Sequence, residues 1–308
     1  MLYVTGITGH SGKWFLKRLE SENYQGEIRC VMRNTKEDAP EKYKLFDDTK
    51  LNINFVIGDL DDENFLQNSL GGVDTIVHIA SISLSKKLIE AAIKSGVKWA
   101  ILVHTTGRFS QFKSASGEYI QIEDSILQKR DKIDITVLRP TMIYGSSRDR
   151  NMYRLVTYLD HHKFFPVFGD GSNLMQPVHA KDLGNAYYDV LMHGDITKNK
   201  EYNLSGKEPV TYSHMIRVIS KYLNKKTNLI NIPFTLSVTA AKIYNAILGK
   251  HAIISVEQVL RMKENKAFSH EAASKDFGYN PYTFDEGIKM EVEEYLSGVR
   301  VDFSEIKY

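Results

Sequence analysis

One cysteine in 308 residues, Cys30, can close no internal disulfide and has no companion for a cysteine metal site. A reducing compartment follows, with the cytoplasm as the expected location. A surplus of charge is missing as well, since 40 Lys and Arg face 38 Asp and Glu for a formal net charge of +2. That balance removes the electrostatic reason to expect nucleic acid or an acidic membrane as a partner. Long hydrophobic runs are also absent. The longest, Ile232 to Leu248, falls short of the ~20 residues a spanning helix needs and is interrupted by Lys242, so a buried or cleft-capping helix is expected there and no membrane contact. The glycine-rich loop starting at Thr5 leaves no room for the charged and apolar regions of a signal peptide. No HExxH, HxxxH or paired-cysteine pattern occurs, and the adjacent His161 and His162 point apart on a helix, so no metal is expected. Ser11 and Ser205 lie beside glycines without a nucleophile-elbow pattern, which removes hydrolase chemistry.

What is present is alternation. Apolar runs that read as strands fall at Leu2–Thr5, Ile28–Met32, Asn54–Ile57, Thr75–Ile79, Ala100–His104 and Ile135–Leu138. Between most of them lie helical patterns, at Lys13–Glu22, Ser85–Ser95 and Tyr119–Lys129, with apolar residues three and four apart. This predicts an α/β fold, a doubly wound parallel Rossmann sheet with a smaller, mostly helical C-terminal substrate lobe. The expected division is a dinucleotide-binding domain over 1–145 and a substrate lobe over 146–308, with 177–193 returning to the first and a cleft between the two.

Thr5-Gly6-Ile7-Thr8-Gly9-His10-Ser11-Gly12 sets three glycines three residues apart, directly after a strand and before a helix. Glycine permits the tight turn and a close backbone approach to a pyrophosphate, and the helix N-terminus adds a favourable dipole. Gly6, Thr8, Gly9, His10, Ser11 and Gly12 are therefore candidate cofactor contacts. At the end of the second strand, where an NAD site usually carries a carboxylate for the ribose hydroxyls, stands Arg33. A guanidinium suits a 2′-phosphate, with Lys36 or His10 as helpers, which favours NADP(H) over NAD(H). Asp59, Leu60, Ala80 and Ser81 follow the third and fourth strands, where adenine and ribose would rest.

Together with Gly58-Asp59-Leu60, Arg139-Pro140, Ile143-Tyr144-Gly145, Phe168-Gly169-Asp170-Gly171, Pro177-Val178-His179 and Phe277-Gly278-Tyr279-Asn280-Pro281, that loop makes nearly the whole chain resemble the extended short-chain dehydrogenase/reductase superfamily, its epimerase/dehydratase group. The resemblance implies Pro140 at the cofactor, a Thr after the fifth strand that polarises substrate, and a Tyr-x-x-x-Lys pair that moves the proton. Thr105 and Thr106 hold the hydroxyl position, Thr106 being the closer counterpart. The dyad is incomplete: Tyr119 is followed four residues later by Glu123, and the alternative alignment puts Tyr119 at the lysine and Ala115 at the tyrosine. A phenol without a cation beside it donates a proton but is a poor base at neutral pH. Lys113 is a candidate replacement for the lysine.

The resemblance also bears on the substrate. Extended members acting on nucleotide sugars follow the GDG loop with arginine and aspartate, whereas Met175 and Gln176 stand here, with Arg148, Arg150 and Arg154 as other cations nearby. A nucleotide diphosphate lacks its anchor. Met175, Gln176 and His179 form a pattern closer to the atypical branch, and Tyr144 is expected either to line the substrate cleft or to pack in the core. Two readings remain open: an atypical reductase or epimerase acting on a carbonyl or sugar-like small molecule, and a non-catalytic NADP(H) sensor or accessory protein. The resemblance also implies a homodimer paired through helices equivalent to Ser85–Ser95 and Tyr119–Lys129.

Overall fold

The first strand, β1 (Leu2–Thr5), is buried along its whole length, as a strand covered on both faces must be. It runs through the glycine loop into α1 (Gly12–Ser21), whose inward residues Phe15, Leu16 and Leu19 recur at helical spacing. The alternation continues through β2 (Ile28–Met32), the short α2 (Pro40–Tyr43), β3 (Ile53–Ile57), α3 (Glu63–Ser69), β4 (Thr75–His78), α4 (Ser85–Lys94), β5 (Trp99–Val103), α5 (Lys113–Leu127) and β6 (Asp134–Pro140). Local signals set the helix starts. Pro40 occupies the first turn of α2, where its missing N–H costs nothing, and the Asp62 carboxylate accepts from the Asn64 and Phe65 amides to cap α3. The computed structural model describes residues 1–149, 151–248 and 255–298.

β1 to β6 and the strand Glu201–Leu204 form one parallel sheet, in the order Glu201–Leu204, β6, β5, β4, β1, β2, β3. The fold is therefore α/β, a doubly wound parallel sheet with flanking helices and a largely helical C-terminal region. Chain order reverses between β1 and β4, which pair in register from Leu2 with Thr75 to Thr5 with His78. In open α/β sheets the carboxyl ends of the strands at such a switch point form the ligand-binding crevice.

The six strands expected from the sequence all form, each within a residue or two of its expected bounds. Other elements differ. α5 begins at Lys113, six residues before the expected Tyr119, because its first turns carry Ser and Gly rather than periodic apolar residues and are tied by local bonds such as Ser116 Oγ to the Phe112 carbonyl, 3.2 Å. The seventh strand, Glu201–Leu204, was not anticipated: only Tyr202 and Leu204 of its four residues are buried, too short a pattern to stand out.

By contacts the chain divides into two units. The first comprises Met1–Pro140, Ala180–Leu204 and Ser269–Asn280, and its core includes Tyr3, Leu66, Ile76, Leu88, Leu102 and Ile135. Within it, helix Ala180–Met192 lies against α1, where a Cβ on Gly184 would stand 2.4 Å from Trp14 Cβ. The second comprises Thr141–His179, Ser205–Phe268 and, of the described residues, 281–298. Helices Met152–His161, Tyr212–Tyr222 and Phe284–Leu296 contribute Val156, Ile219 and Ile288 to its core, and the two-residue strands Val178–His179 and Ile143–Tyr144 pair in parallel.

The apolar stretch in the second unit forms helix Phe234–Leu248, and of the two forms expected it is not the fully buried one. Its inward positions include the small Ser237 and Ala241, while Leu236 is 58% and Ile243 56% exposed. Among the described residues no helix is long and apolar enough to cross a membrane.

Candidate functional site

The glycine loop is shaped by its own backbone. Gly6 has φ +75°, and a Cβ there would lie 2.8 Å from the Ala80 amide nitrogen; a Cβ on Gly12 would lie 2.2 Å from the Gly6 carbonyl oxygen. Neither position accepts a side chain without moving backbone. The Gly9 amide donates to that same Gly6 oxygen at 2.9 Å, closing the turn and leaving Gly9 exposed. Beneath it, Thr5 Oγ1 and His78 Nδ1 are 2.7 Å apart, and His78 Nε2 is 3.1 Å from the Ser81 carbonyl. Burial and the nearby His104 charge outweigh the bond to Ser81, which acts the other way, and lower the His78 pKa to about 4. A neutral ring that accepts from Thr5 and donates to Ser81 fits both contacts. Thr5 and His78 thus tie the ends of β1 and β4 together. Sequence reasoning missed this pair, which are separated by 73 positions in the chain.

At those strand ends opens a cavity of about 260 Å³ lined by Thr5, Gly6, Thr8, Val31, Met32, Arg33, Lys42, Gly58, Leu60, Ala80 and Ser81. Six residues singled out from the sequence meet here: Gly6, Thr8, Arg33, Leu60, Ala80 and Ser81. Others face elsewhere. Ser11 is buried and accepts from the Tyr187 hydroxyl at 3.1 Å, and the exposed Asp59 carboxylate accepts from the Asp61 amide at 2.9 Å. Gly9, His10, Gly12 and Pro140 do not line the cavity.

Two cations, Arg33 and Lys42, line the cavity, and no carboxylate does. Lys42 was not anticipated; it arrives because the turn that starts at Pro40 folds back toward the end of β2, where Lys42 Nζ donates to Asn34 Oδ1 at 3.2 Å. Lys36, the expected helper, instead stands 3.7 Å from Asp47 and lines a neighbouring hollow with Tyr43, Phe46 and Phe55.

Beyond β5, Thr105 Oγ1 accepts from the Gly107 amide at 3.0 Å, and Thr106, nearly buried, donates to the Pro140 carbonyl at 3.1 Å. A Cβ placed on Gly107 would stand 3.2 Å from Thr105 Oγ1 and 3.3 Å from Tyr119 Cε2. Thr105 and Tyr119 therefore flank one glycine, whereas the Thr106 hydroxyl is engaged at its main-chain partner. Glu123 is spoken for: it accepts from His104 Nδ1 at 2.9 Å, from Arg139 Nε at 2.9 Å and from Arg108. Arg139 also reaches Glu201, which meets Arg130 at 3.1 Å. Burial pushes the Glu123 carboxyl up, but the His104 and Arg139 bonds and charges outweigh it and hold it at about 2. The side chains of Lys113 and Ala115 lie outside the described residues.

The four residues expected at the substrate are interior to the second unit. Tyr144 is fully buried, edge-on to His179 at 5.4 Å and tilted against Phe284 at 5.7 Å. Gln176 bridges two segments, donating to the Gly206 carbonyl at 2.7 Å and accepting from the Phe268 amide at 2.9 Å. Met175 pairs with Val210 in a short antiparallel ladder. Arg148 and Arg154 are exposed, and Arg150 lies outside the described residues. His161 and His162 hydrogen-bond the Thr157 and Tyr158 carbonyls, and no cluster suited to a metal ion occurs among the described residues.

The NmrA-like family model matches residues 1–113 and the NAD dependent epimerase/dehydratase family model residues 120–205. The uncharacterized protein y4nG of Sinorhizobium fredii is 22% identical over 268 residues, covering 75% of this chain and 65% of its own. Short-chain dehydrogenase/reductase family 42E member 1 of Bos taurus is 24% identical over 292 residues, covering 76% of this chain and 74% of its own. The match spans 41% of the mouse and zebrafish 42E proteins, so much of several relatives has no counterpart here. Among solved structures, gox2253 superposes with a TM-score of 0.78 at 17% identity over 98% of this chain and 99% of its own. The NADPH complex of the quinone oxidoreductase QOR2 from Escherichia coli gives 0.72 at 20% identity over 94% and 98%. At these identities the structural likeness is one of fold.

Proposed function

We propose that this chain is a member of the extended short-chain dehydrogenase/reductase superfamily, binds NADP(H) in preference to NAD(H) in its first unit and acts as an atypical oxidoreductase or epimerase on a carbonyl or sugar-like small molecule. The observation that carries the cofactor preference is the pair Arg33 and Lys42 in a cavity without a carboxylate. A 2′-phosphate needs charge-assisted donors to offset its desolvation, and a ribose diol does not. The glycine cradle fits a pyrophosphate, since Gly6 and Gly12 have no room for a Cβ and Gly9 stays open to solvent.

Bound nicotinamide supplies or accepts a hydride. The residues of the chain have simpler tasks: Thr105 and Tyr119 hydrogen-bond a substrate oxygen, and Tyr119 gives it a proton from its hydroxyl. With Glu123 at the fourth position after Tyr119, the phenol has no lysine there to sharpen it as a base. That same feature supports the second reading, a cofactor sensor that does not turn over. The second unit, taken as the substrate lobe, would serve either role.

Titration with NADPH and NADH, followed by nicotinamide fluorescence, tests the cofactor preference: tight NADPH binding that collapses in Arg33→Ala is expected, and equal affinity for both nucleotides would refute it. A panel of carbonyl substrates then separates enzyme from sensor. Turnover lost in Thr105→Ala and Tyr119→Phe supports the enzyme; turnover unchanged in both variants excludes these roles.

A further inference from the structure

Acidic residues vanish from one long stretch of the second unit. From Pro209 to Val256 the chain carries six Lys or Arg and no Asp or Glu, although the whole chain is nearly balanced. Three large apolar side chains exposed by half or more, Ile230, Leu236 and Ile243, lie in the same stretch. On helix Phe234–Leu248, Leu236, Ala240 and Ile243 follow one another at i, i+4 and i+7, so they form a single stripe, and all three are exposed. Ser237 and Ala241 are buried on another side. Thr235, Thr239 and Lys242, also exposed, border the stripe along one flank. Arg217 and Lys226 are exposed as well, while Lys221 and Lys225 stand 3.8 Å from Asp285 and 3.1 Å from Asp160 yet keep about half or more of their side chains in solvent.

A second copy, a nucleic acid and a bilayer are three candidate occupants for such a face. Symmetric pairing would bring two acid-free stretches together, with like charges opposed. A nucleic acid would answer the cations and leave Leu236 and Ile243 without purpose, because single-strand binding uses aromatic platforms and the stripe contains none. An anionic lipid leaflet answers both features: its acyl boundary takes the apolar stripe, and its headgroups take Lys242 on the flank of that stripe.

We propose that helix Phe234–Leu248 lies in the plane of an anionic lipid surface, with Leu236, Ala240 and Ile243 at the acyl boundary and Lys242 extended to the headgroups. Lying on a bilayer asks less of a sequence than spanning one. A single exposed stripe suffices, and the amphipathic stem of Lys242 lets its charge stay in the headgroup layer.

The test is co-sedimentation of the full chain with vesicles of phosphatidylcholine alone and of phosphatidylcholine with phosphatidylserine. Binding to the mixed vesicles that weakens in raised salt is expected. Leu236→Ser with Ile243→Ser should lower it by at least tenfold, and Lys242→Glu by roughly fivefold or more. Far-ultraviolet circular dichroism and melting temperature check that the exposed substitutions leave the fold intact. Absence of binding to either vesicle overturns the proposal, as does equal binding to both or full binding by the double serine variant. A concentration-dependent dimer abolished by the same substitutions, without vesicle binding, would assign the face to a second copy instead.

Discussion

Glu123 in the first unit and Glu291 in the second are each 1% exposed, yet their surroundings drive them in opposite directions. Glu123 sits among His104, Arg108 and Arg139, and its carboxyl is held down at about 2. Glu291 has one Oε2 contact, the Gly145 amide at 2.8 Å, and among the described residues Oε1 has no hydrogen-bond partner. Burial pushes its carboxyl well above the ordinary range, with the Asp149 and Glu294 charges adding to the rise. Burial alone fixes only the cost of a charge; the neighbours decide whether the charge is kept.

The largest way to break this contrast is Glu123→Ala. It removes the carboxylate shared by His104, Arg139 and Arg108, leaving Arg139 only Glu201 and Arg108 only Asp124 as acidic partners among the described residues, and is expected to cost about 3–5 kcal/mol in denaturant unfolding; a loss below about 1 kcal/mol would mean that the network is dispensable. The acid limb of the stability profile should report the same residue. A depressed carboxyl contributes stability that is present above its unfolded value and lost as pH falls through the folded one, so wild type should weaken between pH ~4.3 and about 2 in a way that Glu123→Gln does not.

Glu291 should behave oppositely. Its raised carboxyl contributes stability that is fully present below the unfolded value and lost as pH rises through the folded one. Glu291→Gln, a neutral isostere, should therefore match wild type in acid and exceed it as pH rises. A variant that weakens more than wild type as pH rises would show that Glu291 folds as a carboxylate. Glu294→Gln is the smallest perturbation. Removing that charge should move the Glu291 transition slightly toward lower pH, and a shift upward would contradict the assigned sign.

The two units also differ in how much of them the sequence disclosed. The glycine loop, the strand alternation and Arg33 are local patterns, each contained within a dozen residues, and the structure gathers six of the residues they pointed to around one cavity. Lys42 was illegible because its place depends on how the turn at Pro40 folds back to Asn34. The Glu123 network joins positions 104, 108, 123 and 139, and through Arg139 reaches Glu201; no spacing rule relates them. Motif counting read Glu123 as a missing lysine, and only the fold reveals what it holds instead. In the second unit, Ile232 to Leu248 read as a buried or cleft-capping helix because the run is apolar yet too short, and interrupted by Lys242, to span a membrane. Burial follows which face turns inward, and Ser237 and Ala241 turn inward here.

The central claim is that Arg33 and Lys42 together make the first unit select a phosphorylated dinucleotide. Measuring NADPH and NADH dissociation constants for wild type, Arg33→Ala, Lys42→Ala and the double variant tests it most directly. Each single substitution should weaken NADPH by roughly 10- to 100-fold, as expected for loss of one charge-assisted contact, and leave NADH nearly unchanged. Parallel losses for both nucleotides, or an undiminished NADPH preference in the double variant, would contradict the account.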